Sequence, residues 1–289
     1  MDVDRFVLSF FILFGFLGFS EIQGETVRVA SFNVENYLTM DRMVSGRWRE
    51  QYPKPSKEKR ILRSIINQSN PDILAIQEIG ERFYLNELWK DLNSSNGVRF
   101  SYSAWLPGMI EGEERHLALL SKIPFTLIDE PKDLSFKYFE VRRSPSRGLL
   151  EVEFETKGVK WSLFNLHLKS KWTERPDDPE ASIRREREAR VIRDYIRAKY
   201  PAYNDPNYLV VGDFNDHKNS APMRRFLQVN KFSEITTEQV QLRFVGLNLV
   251  VMRLARSPVH RQTKMLIEHQ QLTLDMMKRK PEIALGSLP

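Results

Sequence analysis

Short apolar segments that end abruptly in polar residues recur along this chain of 289 residues, and they constrain its fold more than any other feature. Residues 26–33 and 72–78 are two such segments, and both have the composition of strands. Between them, apolar residues at helical spacing predict a helix that begins at Ser56 and ends before Pro71. This order predicts a βαβ unit, and ligand sites in such sheets gather at the strand ends.

The middle of the chain predicts further strands and one long helix. Residues 116–121 form another apolar strand, and the alternation over 149–155, followed by 161–168, predicts an antiparallel hairpin. Residues 179–200 predict a helix whose arginines alternate with glutamates, so we expect these arginines to form a solvated, salt-bridged face. Residues 39–55 are expected to form a long solvated loop.

The segment 208–216 changes from apolar to acidic within a few residues. Residues 208–211 predict a buried strand, which Gly212 is expected to end. Asp213, Asn215 and Asp216 then place oxygen-bearing side chains at the strand exit, where they suit a hard cation or a nucleophilic water. An Asx-rich turn without any chemistry has the same appearance, so the evidence for a site must come from other strands.

The N-terminal residues 1–24 predict a signal peptide. Residues 6–19 are an apolar stretch, too short to span a bilayer as a helix and of the length found in the h-region of a signal peptide. We therefore expect export to the periplasm or secretion, no membrane span, and a mature chain that begins near Glu25. A buried N-terminal helix is the alternative interpretation.

The C-terminal segment differs in composition from the rest of the chain. Residues 239–289 hold eight Lys or Arg and three Asp or Glu, which is +5 of the total net charge of +6. They contain one aromatic residue, Phe244, of the 32 in the chain. We therefore predict a domain over 25–238 and an atypical basic tail over 239–289. The apolar residues of the tail follow no clear period, so they predict neither helices nor strands. The complete lack of cysteine excludes disulfides, Cys-ligated metals and a thiol nucleophile.

Four polar clusters at strand ends, taken together, resemble the endonuclease/exonuclease/phosphatase superfamily, which includes deoxyribonuclease I, abasic-site endonucleases, inositol-phosphate phosphatases and bacterial sphingomyelinases. The resemblance covers residues 26 to about 235 in the correct order and spacing. It implies an α/β fold, a four-layer α/β sandwich with two packed mixed sheets and the active site on one edge. The matching segments are 30–36 (ASFNVEN), 71–78 (PDILAIQE), 117–124 (LALLSKIP), 146–148 (SRG), 165–167 (NLH) and 210–215 (VVGDFN).

The resemblance also implies a metal site. Glu78 corresponds to the main metal ligand, and Asn33 corresponds to its companion. Glu35 occupies a position where some members have Asp, and it is implied to be a further ligand. Carboxylate and amide oxygens without cysteine favour Mg²⁺ or Mn²⁺ over zinc.

The same resemblance implies the catalytic groups. Asp213 corresponds to the carboxylate that orients or activates the attacking water, and Asn215 helps to position the water and the phosphate. His167 corresponds to the histidine that hydrogen-bonds the scissile phosphate. Arg147 lies where some members contact the phosphate. These residue types suit phosphodiester hydrolysis, which needs a cation, a hydrogen-bond donor and a base on water.

The C-terminal segment departs from the pattern of the superfamily. Members normally end with a Ser-Asp-His motif on a final strand, and this chain has only His260 and His269 there, neither of which follows an Asp on an apolar strand. We therefore expect a fold that is incomplete at the C-terminus, and a frameshift near codon 238 would produce such a tail. Reading the coding sequence in all three frames tests this interpretation.

The sequence predicts a secreted, metal-dependent phosphoesterase that hydrolyses phosphodiester bonds, of endonuclease type, acting as a monomer on nucleic acid or another phosphodiester without a stable protein partner. A phosphomonoesterase or a phospholipase-type enzyme is an alternative, and the lack of an obvious hydrophobic hairpin for membrane insertion disfavours a lipid substrate slightly. A third hypothesis is a catalytically impaired member of the superfamily that only binds metal or phosphate. The nearly neutral body of the chain argues against strong non-specific DNA binding.

Overall fold

A computed structural model describes residues 25–94, 97–128, 131, 133–156, 158–200, 208–217, 220–227, 247–256 and 263–271. The predicted signal peptide lies outside these residues. None of the described helices is long and apolar enough to cross a membrane. The strands are β1 (Glu25–Tyr37), β2 (Met40–Val44), β3 (Arg47–Tyr52), β4 (Ile73–Ile79), β5 (Tyr102–Leu106), β6 (His116–Ser121), β7 (Phe125–Leu127), β8 (Phe136–Tyr138), β9 (Val141–Arg143), β10 (Leu149–Thr156), β11 (Val159–His167), β12 (Tyr208–Asp213), β13 (Leu247–Arg256) and β14 (Thr263–Gln271). The helices are α1 (Ser56–Ser69), α2 (Arg82–Ser94), α3 (Ser182–Lys199) and α4 (Ala221–Leu227).

The strands form two main mixed sheets. The first has the order β14-β13-β1-β4-β6-β5, and the second has the order β12-β11-β10-β7. β1 and β4 are parallel, as the βαβ pattern predicts, and β11 and β12 are parallel too. The carboxyl ends of these four strands therefore deliver the residues that follow their apolar segments.

Three apolar clusters stack the elements into four layers. Helices α1 and α2 cover the outer face of the first sheet through residues such as Ile66 and Leu88. The inner faces of the two sheets meet through a second cluster that includes Val29 and Leu163. Helices α3 and α4 cover the outer face of the second sheet, where Ile192 packs. The predicted four-layer α/β sandwich with two packed mixed sheets is confirmed.

Residues 39–55, predicted to be a loop, contain the hairpin β2–β3, so that prediction is wrong. Every residue of β3 is exposed, which hid the strand from a pattern based on burial. Met43 pairs with Trp48 across the hairpin, and their side chains are 62% and 60% exposed. The chain therefore presents an exposed apolar pair that the sequence did not reveal.

The prediction of a solvated arginine face on α3 is correct only in part. Arg190 is exposed, but Arg185 and Arg193 are buried. Arg185 forms an ion pair with Asp216 at 2.8 Å between Nη2 and Oδ2, and both side chains are almost inaccessible. Charge alternation does not distinguish an arginine that pairs with its own helix from one that pairs with a distant loop.

Gly212 lies inside β12 rather than ending it, because the strand continues to Asp213. Its φ is +136°, and a Cβ at this position would lie 1.9 Å from the carbonyl oxygen of Leu166 on β11. A glycine is therefore required by the close approach of two neighbouring strands.

The segment predicted as an atypical tail supplies two strands. β13 runs antiparallel to β1, with Val27 opposite Met252, and β14 pairs antiparallel with β13. The first sheet therefore has six strands, although the sequence of β13 and β14 shows no clear alternation. The second sheet ends at β12 within the described part of the chain. The boundary near residue 238 stays a prediction.

Candidate active site

Three side chains from three strand ends meet at one edge of the sandwich. Glu78 lies near the end of β4, His167 ends β11 and Asp213 ends β12. One ligand atom from each of them lies within 4.8 Å of the other two, an arrangement that could hold a metal ion. The parallel register places His167 directly beside Asp213. The two sheets thus deliver to one point residues that are up to 135 positions apart in the chain.

Asn33 connects the two carboxylates of this group. Its Nδ2 atom donates to Oε1 of Glu78 at 3.0 Å and to Oδ2 of Asp213 at 2.8 Å. Its Oδ1 atom accepts the backbone N–H of Glu35 at 2.9 Å. Asn33 therefore holds the carboxylates through its amide nitrogen, whereas a metal ligand would use the amide oxygen.

Glu35 does not belong to the three-residue group. Its side chain is exposed, and it lines a small cavity together with Lys54 and Glu58. Burial raises the pKa of Glu35, although the nearby Lys54 opposes this change. Its role as a metal ligand stays a prediction without a geometric counterpart.

The backbone around the carboxylates adopts conformations that are uncommon for non-glycine residues. Glu35, Asn36, Glu78 and Asn215 all have φ between +51° and +61°. Such conformations cluster at functional sites, where the surrounding structure holds them. At Glu78 the backbone N–H of Asn36 donates to Oε2 at 3.0 Å, which fixes the carboxylate.

His167 is buried between the carboxylates without a hydrogen bond. Its Nε2 atom lies 3.8 Å from Oε1 of Glu78 and 3.7 Å from Oδ2 of Asp213, and neither ring nitrogen has a partner among the described residues. Burial, followed by the charge of Arg147, lowers the pKa of His167 against the opposing effect of the two carboxylates. The lowered pKa favours the neutral ring, which carries one N–H donor and one acceptor.

Asp213 is held on both of its oxygen atoms. Oδ2 accepts from Asn33, and Oδ1 accepts the backbone N–H of Asn215 at 2.8 Å. The side chain of Asn215 donates to the carbonyl oxygen of Leu168 at 2.9 Å. In this structure Asn215 therefore orients Asp213 through its backbone, and its amide nitrogen stabilises the turn.

A buried polar bridge joins the two sheets below this site. Gln77 donates from Nε2 to Oδ1 of Asn165 at 2.7 Å, and Asn165 donates from Nδ2 to the carbonyl oxygens of Ile76 and Ala118. Both side chains are essentially inaccessible. Because an unpaired polar group here would be costly, the bridge fixes how β4 and β11 lie relative to each other.

The site opens into a cleft with a basic wall. Glu78 and His167 line the cleft, whose volume is about 590 Å³, and Trp172 stands on its rim with 71% of its surface exposed. Burial, followed by the neighbouring Arg147 and Arg184, lowers the pKa of Lys169. The basic residues that line the cleft are Arg115, Arg147, Lys169 and Arg184.

Arg147 is the most deeply buried cation of this wall, with 7% of its surface exposed. Its Nε atom lies 3.0 Å from Oε2 of Glu113 but without the alignment of a hydrogen bond, and Nη1 has no described partner. A buried guanidinium with spare donors at the wall of a cleft suits an anion, as the sequence predicted for Arg147.

The donor set fits a divalent cation. Two carboxylates converge on a buried imidazole whose two nitrogen atoms lack partners, and the charge of a cation would satisfy all three groups. Oxygen donors in the majority suit a hard cation better than a soft one. The residues present therefore agree with the predicted Mg²⁺ or Mn²⁺.

The structure thus brings together five of the seven predicted site residues directly, namely Asn33, Glu78, His167, Asp213 and Asn215. Arg147 lies on the wall of the same cleft, and Glu35 points elsewhere. Sequence reasoning missed the supporting residues Asn36, Gln77 and Asn165, and the cleft residues Lys169, Trp172 and Arg184. Of these six residues, only Gln77 and Asn165 could have been found from the sequence, because they lie beside the ends of predicted strands.

A model of the family described as Endonuclease/Exonuclease/phosphatase family matches residues 30–258. Among solved structures, sphingomyelinase C from Streptomyces griseocarneus is 18% identical, covers 71% of this chain and 69% of its own, and has a TM-score of 0.49. A beta toxin mutant from Staphylococcus aureus with bound magnesium ions is 16% identical, with coverages of 71% and 70% and a TM-score of 0.49. Truncated TDP2 from Caenorhabditis elegans is 21% identical, with coverages of 68% and 66% and a TM-score of 0.44. No curated protein matches the chain at a significant level.

Proposed function

Because this chain belongs to the Endonuclease/Exonuclease/phosphatase family, we propose that it is a metal-dependent phosphodiesterase of endonuclease type. The observation that carries the proposal is the convergence of Glu78, His167 and Asp213, tied together by Asn33. The basic cleft wall supports an anionic substrate. Each part is a known requirement for hydrolysis of a phosphodiester, which repels nucleophiles through its own negative charge.

In this proposal Glu78 would hold Mg²⁺ or Mn²⁺, and Asp213 and His167, whose ligand atoms lie within 4.8 Å of that of Glu78, would lie beside the cation. The cation supplies charge neutralisation at a phosphoryl oxygen. Arg147 binds a second oxygen of the phosphate. Asp213, oriented by Asn33 and Asn215, accepts a proton from the attacking water, and the N–H of His167 donates a hydrogen bond to the phosphate as negative charge develops.

Turnover of bis(p-nitrophenyl) phosphate tests this function. We expect hydrolysis that needs Mg²⁺ and stops with EDTA, and a loss of roughly 10²–10³-fold in kcat for Glu78→Gln and for Asp213→Asn. Glu87→Gln, in a surface ion pair with Lys59, is the matched carboxylate control and should keep full activity. A well-folded wild-type protein without turnover would refute the proposal, and Mg²⁺ binding in that sample would identify an impaired member of the family.

The exposed hairpin β2–β3 favours one second candidate, a phospholipase-type enzyme. Met43 and Trp48 form an exposed apolar pair, with Arg47 and Arg49 beside them, a composition that suits an anionic lipid surface. Arg42 connects this hairpin to the end of β1, next to the candidate site, because its guanidinium donates to the carbonyl oxygens of Asn36 and Leu38. Sedimentation with anionic vesicles, lost in Met43→Ser combined with Trp48→Ser, would support this candidate over plasmid DNA as the substrate.

Export by the N-terminal residues 1–24 is part of the proposal, and it rests on the apolar stretch over residues 6–19. The sequence of the mature N-terminus checks it. A chain that begins near Glu25 is expected, and a retained Met1 would contradict it. A monomer without a stable protein partner is expected as well.

A further inference from the structure

A second basic cleft lies next to the active-site cleft. Its volume is about 570 Å³, and the two clefts share Lys169 and Arg184 on their walls. Arg143 and Arg175 add two more cations to the second cleft, against the carboxylates of Glu174 and Asp177. The excess of positive charge therefore continues from the active site in one direction along the surface.

Two of the four cations in the second cleft, Arg143 and Lys169, have no carboxylate partner among the described residues, whereas Arg175 pairs with Asp177 and Arg184 pairs with Glu188. Arg143 makes no ion pair or side-chain hydrogen bond with any described residue. Lys169 donates from Nζ to oxygen atoms of Ser170 and Trp172 but to no described carboxylate. An anion between these side chains would relieve their mutual repulsion.

The partners of Arg175 and Arg184 hold both guanidinium groups in place. Arg184 donates from Nη2 to Oγ of Ser146 at 2.7 Å and from Nε to Oε1 of Glu188 at 3.3 Å. The guanidinium of Arg175 lies over the ring of Phe139, 4.0 Å from its centroid. Cations that the fold holds in fixed positions lose less entropy on binding than free lysines, so they suit a ligand of defined shape.

An exposed aromatic ring stands beside the same path. Trp172 lies on the rim of the active-site cleft, and Nζ of Lys169 lies 5.8 Å from the centroid of its ring. Trp172 is 71% exposed, so most of its surface is open to solvent. Proteins that bind single-stranded nucleic acid combine cations with exposed aromatic rings. The cations pair with the phosphates, and the bases stack on the rings.

We propose that the second cleft is a binding subsite for the phosphates of a single-stranded nucleic acid that extends from the active site. Lys169 and Arg184 contact the phosphate next to the scissile one, Arg143 and Arg175 contact phosphates further along, and Trp172 stacks on a base. A lipid headgroup with a single phosphodiester, such as phosphocholine, would leave the second cleft without a ligand. This inference rests on the proposed function, because it names the substrate class of the same site.

Binding of a fluorescent single-stranded DNA 12-mer in EDTA, measured by anisotropy, tests the subsite without turnover. We expect Arg143→Gln to raise the Kd by about fivefold and to reduce the slope of log K against log salt by about 1, because one phosphate contact is lost. Trp172→Ala should raise the Kd by about tenfold through loss of stacking. If Arg143 only stabilised the fold, its replacement would leave the slope of log K against log salt unchanged. A reduced slope therefore indicates a lost phosphate contact.

The adjacent residue offers a matched control. Arg142 has the same chemistry as Arg143 and lies on the same exposed strand, but it donates to Oγ of Ser135 and lines neither cleft. Arg142→Gln should therefore bind the 12-mer like the wild type. Equal affinities of the Arg143→Gln and Arg142→Gln variants would overturn the subsite, and so would tighter binding of a 12-base-pair duplex than of the single strand.

The failure of this inference can be distinguished from failure of the proposed function. Hydrolysis of bis(p-nitrophenyl) phosphate by the wild type needs the metal site and has no second phosphate. Turnover of this compound combined with equal binding by the two arginine variants would refute the subsite alone. Specific binding of the 12-mer without any turnover would refute the proposed catalytic activity and leave the subsite supported.

Discussion

The first sheet positions Glu78 where the chain leaves the extended conformation, whereas the second sheet positions Asp213 at the end of a regular strand. Glu78 has a φ of +61°, and the register between β4 and β6 shifts at this position. Asp213, in contrast, keeps its parallel register with His167. The first half of the site is therefore placed by an irregular backbone, and the second half is placed by strand pairing.

The two halves also differ in what holds them. Hydrogen bonds from Asn33 and from the backbone of Asn36 hold Glu78. Hydrogen bonds from Asn33 and from the backbone of Asn215 hold Asp213 as well. Behind Asp213 there is in addition a set of buried charges, in which Arg185 pairs with Asp216 and Glu188 accepts the backbone N–H of Lys169. Burial raises the pKa of Glu188, although Arg184 opposes this change. The second half should therefore respond more strongly to changes in packing and charge.

The close approach of β11 and β12 predicts the largest effect. Gly212→Ala should destabilise the protein by about 4 kcal/mol or more, because a Cβ would overlap the carbonyl oxygen of Leu166 in addition to the unfavourable φ. Urea unfolding measures this change. Gly46→Ala is the control, since its φ is also positive but its Cβ would meet no atom within 4 Å, and it should cost only about 1 kcal/mol. Similar losses for both variants would show that φ alone requires the glycine.

The buried ion pair behind Asp213 predicts the next effect. Arg185→Met should cost about 3–5 kcal/mol in the free energy of unfolding, because it leaves Asp216 buried without its partner. Arg190→Met, on the exposed side of the same helix, should change stability by less than about 0.5 kcal/mol. Combining Arg185→Met with Asp216→Leu should recover part of the loss. A double variant as unstable as the sum of the single variants would contradict this account.

The polar bridge between the sheets predicts a smaller effect. Asn165→Ala should cost about 2 kcal/mol, because it removes a hydrogen-bond partner from the buried side chain of Gln77 and from two buried carbonyl oxygens. It should also lower kcat on bis(p-nitrophenyl) phosphate, since the bridge fixes the distance between the two halves of the site. Gln68→Ala, on an exposed face of α1, is the control and should change neither quantity. An unchanged kcat for the bridge variant would show that each half is positioned independently.

Sequence patterns predicted the elements whose residues alternate or recur with burial. The strand over 116–121 lies where its apolar segment places it, and the hairpin of β10 and β11 lies where the alternation over 149–155 places it. The exposed hairpin β2–β3 was missed because none of the residues of β3 is buried. The strands β13 and β14 were missed because their sequence lacks a clear period, although β13 extends the first sheet.

The candidate site was predictable where a polar residue follows an apolar strand, and less so where its role depends on contacts. Glu78, His167 and Asp213 could be named because strand ends on one edge of a sandwich converge. That Asn33 would turn its amide nitrogen towards two carboxylates, and that Glu35 would line a different cavity together with Lys54, depends on the local backbone. No spacing in the sequence carries that information.

The sequence by itself determined the order of strands and helices, the family and the acidic and imidazole groups at the strand ends, because periodicity and residue chemistry are local properties of the chain. Tertiary structure alone decided which cations face the cleft and which are buried in ion pairs. Arg184 and Arg185 are neighbours on α3, yet one lines the basic path and the other pairs with Asp216. The physical reason is that adjacent residues on a helix point in different directions, and only the packed partner determines what each one meets.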